Sequence, residues 1–525
     1  MLHLIELFIG LLAAVAGLAL LSRRLPIPYP ILLVLGGLLL ALIPGLPRIR
    51  LNPDLVFLFF LPLLLYPAAI FMPWRDFRAN LRQISLLAVG LVLFTTIAVG
   101  FLMHLWLPDF PLAAGFVLGA IVSPPDAVAA TAVARHIRLP QRIVTILEGE
   151  SLVNDATALV ALRFAIVAAI TGAFSFGHAI GQFFLVALGG IAIGLMVGMI
   201  TVWIQKRIDD PPIEITLSLL TPLASYLLGE QAHASGVLAV VTTGLFHGWR
   251  LPEIMTFRTR LQAGPVWEMI EFLLNGLIFL LIGLQLPEAA RRISGHSIAQ
   301  LITYAALISA TVIVIRILWI FPAAYLPRLL FKKSAREPAP NWRNVLIIAW
   351  TGMRGVVSLA AALSLPFTLP DGRSFPGRSL ILFLTFVVIL VTLVLQGLSL
   401  PPLIRLLGVH DEGRTQREER LARIKANEAA LAALDELVRA PQTDSEAVDR
   451  LRVEYEDRIR QLKVSDSGED YGPAGIFSSE YERLSRRVLE VERRTIITLR
   501  NEQVINDQSL RRIQRDIDLA EARLR

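Results

Sequence analysis

Apolar residues in this chain gather into long continuous runs, without the alternation of a half-buried strand or the narrow stripe of a soluble helix. Thirteen such runs lie at about 3–21, 28–47, 54–73, 83–106, 112–134, 143–170, 178–205, 212–229, 233–248, 264–286, 297–326, 343–366 and 377–407. A helix rising ~1.5 Å per residue needs about 20 apolar residues to cross a ~30 Å hydrocarbon core. The pattern therefore predicts an all-α polytopic membrane protein with about 13 transmembrane helices. The eighth and ninth runs are short, and Gly229 to Ser235 between them is a weak boundary. From 409 to 525 the pattern changes to charged, helix-forming sequence. Arg417 to Leu437 and Asp444 to Lys463 read as helices, the second with Val448, Leu451, Tyr455, Ile459 and Leu462 at three-to-four spacing. Ser465 to Pro473 reads as a linker, and Ser479 to Arg525 as a last helix with Leu510, Ile513, Ile517 and Leu524 on one face. The expected domains are thus a transmembrane domain over 1–408 and a helical tail over 409–525. Simple helix pairing and a regulatory role are both open for the tail.

Two runs are interrupted at mid-membrane. The fifth reads GFVLGAIVSPPDAVAATAV, where Pro124 and Pro125 remove two backbone donors and disfavour helix at Ser123. The twelfth reads VLIIAWTGMRGVVSLAAALSLP, where Gly352 and Gly355 flank Arg354. Freed backbone at that depth is tolerated only where protein buries it or a cavity hydrates it. The two runs are an odd number of crossings apart, so they run in opposite directions. That suits a six-plus-six inverted repeat with broken helices around a seventh connecting helix, and paired breaks of this kind point to a transporter's binding site. Two ordinary kinks are the alternative, but both breaks carry a charge.

Composition narrows the class. The 525 residues are 55% hydrophobic and 18% charged, with a mean hydropathy of +0.61. Cysteine is absent, which excludes disulfides, thiol chemistry and Cys-ligated metals. A net charge of +7 could suggest nucleic acid, yet the region from Gly408 onward carries a net of −3 and the membrane part +10. With the N-terminus outside, odd-numbered loops hold 18 Lys and Arg and even-numbered loops hold 6. That threefold bias predicts a multi-pass inner (plasma) membrane protein with its tail in the cytoplasm. The N-terminal run has Arg23-Arg24 after it and no basic residue before it, so an uncleaved first helix is expected.

The sixth run contains Glu148-Gly149-Glu150-Ser151-Leu152-Val153-Asn154-Asp155. Polar side chains at such depth are costly and usually face a bundle interior or cavity. Asp155 would lie ~18 Å along this helix, near the midplane. Ser151 and Asp155 share one face, which could hold a cation with oxygens; Glu150 and Asn154 share the adjacent face, which could anchor the helix to a neighbour. Asp126 follows the proline break. Carboxylate, hydroxyl and carbonyl oxygens suit hard cations, and unwound backbone can complete a small monovalent ion's shell. Desolvation disfavours the charged form of a buried carboxylate, so such an Asp can hold a proton or a cation. No G-x-x-x-x-G-K-[ST] motif is present. Arg354 needs a partner at that depth, and Glu150 is the expected one, in a structural ion pair. Glu148 is expected to line the access path. Arg316, Glu268, Glu271 and Asn275 are expected to tie helices together. His136, in a loop, is a bland surface histidine or a pH sensor.

At these residues the chain resembles the monovalent cation:proton antiporter-1 family of sodium/proton exchangers, more closely its bacterial Na⁺/H⁺ antiporter branch. The resemblance rests on SPPDAVAATAVAR, EGESLVNDATALV, EFLLNGLIFLLIGLQL and WTGMRGVVSLAAALSLP and runs to about Gly408. It implies a homodimer whose core domain moves like an elevator, with no cofactor and no nucleic-acid partner. Asp155 is then the cation/proton carboxylate, with Na⁺ also near Asp126 and Ser151; Asn154 supports the site, and Glu150 and Arg354 form the ion pair. Where many members read Thr-Asp-Pro this chain has Pro125-Asp126-Ala127, and the third run reads Leu65-Tyr66-Pro67-Ala68 without a carboxylate. The expectation is a non-enzymatic secondary transporter exchanging Na⁺ for H⁺, one for one, in pH and sodium homeostasis. Li⁺ and K⁺ remain open as cargo. A K⁺/H⁺ antiporter, a cation channel and a membrane sensor are the rivals.

Overall fold

A computed structural model describes residues 2–25, 27–44, 52–134, 139–171, 176–291, 293, 297–330, 340–369, 372–409, 414–437, 445–464, 487–499, 502, 513 and 516–521. His136, the 465–473 linker and most of the predicted last helix lie outside these residues. The chain forms two compact units, Met1–Asp411 and Glu412–Arg525.

Each apolar run of the first unit is helical. In order these are α1 (Leu2–Ser22) and α2 (Tyr29–Leu40), then α3 (Pro53–Ile70) and α4 (Trp74–Trp106). The fifth run is two half-helices, α5 (Leu112–Val122) and α6 (Ala127–Ala134), followed by α7 (Gln141–Thr171), α8 (Phe176–Gln205), α9 (Pro211–Gln231), α10 (Gly236–Ile254), α11 (Phe257–Arg291) and α12 (Ile298–Leu330). The twelfth run is also two halves, α13 (Trp342–Trp350) and α14 (Val356–Leu363). The last is α15 (Arg378–Leu407). Eight of these helices are long and apolar enough to cross a membrane, while α1, α2 and α5 are shorter apolar helices.

Local chemistry sets the boundaries. The weak eighth–ninth boundary is a tight turn: His233 adopts a positive φ of 55°, Ala234 N–H reaches Gly229 O, and Ser235 Oγ caps α10 at Leu238 N. The second run ends as helix at Leu40, before the predicted 47. Ser123 differs from its pre-proline expectation: it caps α5 with helical dihedrals (φ −71°, ψ −43°) and returns its hydroxyl to Ala120 O.

Lipid offers little hydrophobic incentive for helices to associate, so close packing and buried polar ties hold the bundle. Where α2 crosses α11, a Cβ on Gly37 would sit 2.1 Å from Leu280 O, so only glycine permits that approach. Along α9, Glu214 accepts from Thr259, Ser218 from the Trp267 indole, and Ser225 pairs with Thr243. Tyr66 Oη and His247 Nδ1 share a buried hydrogen bond of 2.5 Å between α3 and α10. Single π-helical turns interrupt α3 at Val56–Phe60, α4 at Leu86–Leu91 and α15 at Thr392–Gln396; such bulges are frequent at functional sites.

In the second unit, α16 (Arg414–Leu437) and α17 (Ser445–Val464) are joined by Arg452–Asp435 at 2.6 Å and Lys463–Glu428 at 3.2 Å. Val448 and Ile459 are buried, but Leu451 is 42% exposed and leaves the predicted stripe. Ile517 packs with Ile496, whereas Ile513 is 37% exposed.

Candidate functional site

The two broken runs meet. Pro124 and Pro125 leave residues 123–126 non-helical, and Thr351–Gly355 is likewise non-helical. Asp126 N–H donates to Met353 O at 2.6 Å, and Arg354 Nε donates to Val122 O at 3.0 Å. Helix ends carry opposite partial charges, positive at N-termini and negative at C-termini. The side chains match this pattern. Asp126 accepts from Val128 N–H at 2.8 Å at the start of α6, and the backbone N–H of Val356, first in α14, also reaches it. Arg354 serves the opposite ends, bonding the carbonyls of Val122, last in α5, and of Gly352, just past α13.

This geometry corrects the expected Glu150–Arg354 pair. Glu150 is bidentate with Arg316 of α12, at 2.6 Å (Nη1–Oε1) and 2.8 Å (Nη2–Oε2). Both residues are 1% exposed. Arg316 also donates to Ile348 O. The physical reason is supply of acceptors. Arg354 stands at a helix break, where terminal carbonyls accept from it. Arg316 stands inside an unbroken helix whose own carbonyls are occupied, so it needs a carboxylate. The two guanidinium groups flank Gly352, where a Cβ would lie 2.9 Å from Arg316 Nε and 3.0 Å from Arg354 Nη1.

α7 lies against the first break. Asn154 Nδ2 donates to Pro125 O at 2.9 Å, which replaces the turn bonding the prolines cannot make. Ser151 Oγ accepts from Ala127 N–H at 3.3 Å, which caps α6. Asp155 is 6% exposed, makes no hydrogen bond to a described residue, and is close enough to Asp126 for their charges to interact. Asn154 Oδ1 is also buried, with no partner among the described residues. The arrangement gathers two carboxylates, one hydroxyl and one amide oxygen at the crossing of four half-helix ends. Such oxygens suit a small hard cation. Among the described residues no cluster of three or more His, Asp or Glu forms.

The other sequence candidates lie elsewhere. Glu148 and Glu271 are half-buried. Asn275 is 1% exposed, and neither of its amide atoms has a partner among the described residues. Two contributors escaped the sequence. Thr392, at the start of the α15 bulge, accepts Arg354 N–H through its hydroxyl at 3.2 Å. Gly355 lies flat against Asp126, where a Cβ would fall 1.7 Å from Oδ2. Nothing in a single threonine within an apolar run marks it; Gly355 could have been found as the residue opening the second half-helix.

Residues 10–406 match the family model described as sodium/hydrogen exchanger, transmembrane. An uncharacterised Na⁺/H⁺ exchanger of Mycobacterium bovis is 38% identical, covering 98% of this chain and 95% of its own. The Na⁺/H⁺ antiporter ApNhaP of Aphanothece halophytica is 33% identical over 94% of this chain and 93% of its own. A sodium, potassium, lithium and rubidium/H⁺ antiporter of Bacillus pumilus is 38% identical over 75% of this chain and 61% of its own. The fold is similar to that of the sodium proton antiporter MjNhaP1 from Methanocaldococcus jannaschii, with a TM-score of 0.61 over 78% of this chain and 99% of that one, at 21% identity. The match over nearly the whole membrane unit, with full-length relatives above 30% identity, makes this chain a member of the sodium/hydrogen exchanger family, a family of multi-pass membrane transporters.

Proposed function

We propose that this protein is a secondary antiporter that exchanges Na⁺ for H⁺ across the membrane, with Asp155 as the exchanging group. One observation carries this reading. Asp155 is buried and has no hydrogen-bond partner among the described residues, beside an Asp126 that accepts backbone N–H groups at two helix N-termini. Asp126 is then the fixed ligand, held in place by those N–H groups, and Asp155 is the group that holds either a proton or a cation. When Na⁺ binds, the Asp126 carboxylate, Ser151 hydroxyl and Asn154 Oδ1 complete its shell. Mutual exclusion at one carboxylate, with alternating access, is sufficient for antiport. One positive charge moves in each direction, so exchange is electroneutral.

The test is purified protein in liposomes loaded with a pH-sensitive dye. An outward Na⁺ gradient is expected to drive proton uptake whose rate does not change under an imposed membrane potential. A reversal point that moves with voltage rejects the one-for-one stoichiometry, and absence of Na⁺-driven proton movement rejects the antiport reading. The naming of the Bacillus relative for potassium favours a second cargo. K⁺-driven proton flux should be measured in the same liposomes before K⁺ is used to set the potential.

Gly355 supplies a sharper check on Asp126. Gly355→Ala forces the Asp126 carboxylate away from α14, so Na⁺-driven proton flux should fall by about tenfold or more, in line with the cost of an ångström of misplacement at a reacting group. Gly264→Ala is the control, because a Cβ there meets nothing within 4 Å. Unchanged flux in Gly355→Ala argues against Asp126 as a site residue.

A further inference from the structure

The first three turns of α4 read WRDFRANLRQIS and are strongly amphipathic. Phe77 and Ile84 face inward and pack on Gly149, next to Glu150. Arg75, Arg78 and Arg82 stand on the exposed side, at three- and four-residue spacing, so they form one basic stripe. Trp74 is 39% exposed and stacks on Phe77, as aromatic side chains do at a membrane–water boundary.

The stripe runs into a groove. The π-helical turn Leu86–Leu91 follows directly, and its Leu86 carbonyl accepts from the indole of Trp319 in α12 at 3.1 Å. Gly90 has no side chain to cover that ring; a Cβ there would sit 2.6 Å from Trp319 Cζ2. Phe94 stacks on the same ring, 5.1 Å between ring centres. The result is an open, mainly apolar groove of about 570 Å³ lined by Leu81, Arg82, Ser85, Leu86, Val89 and Gly90. Arg82 stands at its basic end.

We propose that this groove is a binding site for one anionic phospholipid. An acyl chain lies along Leu81, Leu86 and Val89, and the phosphate rests on Arg82 and Arg78. Scattered loop arginines explain membrane orientation, but they do not explain why a basic stripe leads into a slot lined by a helix bulge. Anionic headgroups are drawn to such juxtamembrane basic residues, and apolar chain contact holds the lipid in register. The site also sits behind the buried ion pair. Trp319, whose indole donates to Leu86 O in the bulge, is one turn from Arg316, and the inner face of α4 rests on Gly149.

The proposal is independent of what the protein transports. The full-length protein, purified in detergent, is titrated with phosphatidylglycerol or phosphatidylcholine of identical chains, and bound lipid is counted by native mass spectrometry. Wild type is expected to retain one phosphatidylglycerol in preference to phosphatidylcholine. Arg82→Gln should weaken that retention by about fivefold, the effect of one basic residue near a charged headgroup. Val89→Trp, which fills the groove and leaves every charge in place, should abolish it. Arg24→Gln, an exposed arginine at the end of α1, should leave it unchanged. Lipid-free melting temperatures confirm that each variant is folded. Equal retention of the two lipids by wild type, undiminished retention in Val89→Trp, or an Arg24→Gln loss matching that of Arg82→Gln would each overturn the site.

Discussion

Asp155→Asn is expected to abolish Na⁺-driven proton flux in liposomes while the protein keeps its wild-type elution and melting behaviour. Asparagine preserves the volume of the side chain and one oxygen but cannot bind or release a proton at any working pH. Asp155 makes no hydrogen bond to a described residue, so the substitution breaks no structural tie. Stability should therefore be unchanged. Asp126→Asn should inactivate as well, for a different reason. Its carboxylate accepts N–H groups at two half-helix ends, and an amide in that place offers them only one oxygen and no charge. Asp126→Asn is therefore expected to lower the melting temperature where Asp155→Asn does not. Wild-type flux in Asp155→Asn would dismiss the carboxylate as the exchanging group.

The second large effect falls on the buried ion pair. Removing either Glu150 or Arg316 leaves its partner charged, 1% exposed and without its counter-ion. In soluble proteins that costs ~3–5 kcal/mol, whereas replacing both partners with apolar residues of similar volume is often neutral. Glu150→Met and Arg316→Met should each melt well below wild type, and the double variant should recover most of the loss. A coupling of ~2 kcal/mol or more is expected between residues in direct contact. Arg354→Met should also destabilise, because four half-helix ends meet there. Its coupling to Glu150 should be smaller, since its hydrogen bonds go to the carbonyls of Val122 and Gly352. Simple additivity of the Glu150 and Arg316 losses, or a larger coupling to Arg354, would reject this partnership.

The partnership of Glu150 shows how far residue spacing reaches. Depth along α7 placed Glu150 in the membrane and demanded a cation, and two intramembrane arginines were on offer. Spacing favours Arg354, which sits at the second break. That same position supplies it with terminal carbonyls, and it is the arginine inside an unbroken helix that lacks acceptors of its own. Helix-end dipoles, read together with the breaks, would have favoured Arg316. The pairing of Glu150 and Asn154 on one face of α7 and of Ser151 and Asp155 on another follows from helical periodicity, and the contacts divide along the same line. Glu150 and Asn154 tie α7 to Arg316 and Pro125 O. Ser151 caps α6, and Asp155 faces Asp126.

By itself the sequence determined the helical class, the apolar runs, the two breaks and the residues that enter hydrocarbon depth. These follow from short-range physics: a bilayer demands satisfied backbone, and proline and glycine interrupt it where they stand. Only the tertiary structure decided that the breaks cross, that Met353 O receives Asp126 N–H, that Thr392 holds Arg354 N–H, and that Gly355 gives Asp126 its place. It alone decided that a tryptophan in α12 bonds the bulge in α4 and that a groove opens along that bulge. Each of these joins residues far apart in the chain. Their meeting depends on which helices are neighbours and at what rotation, and a local pattern of apolar and polar positions is compatible with many such arrangements.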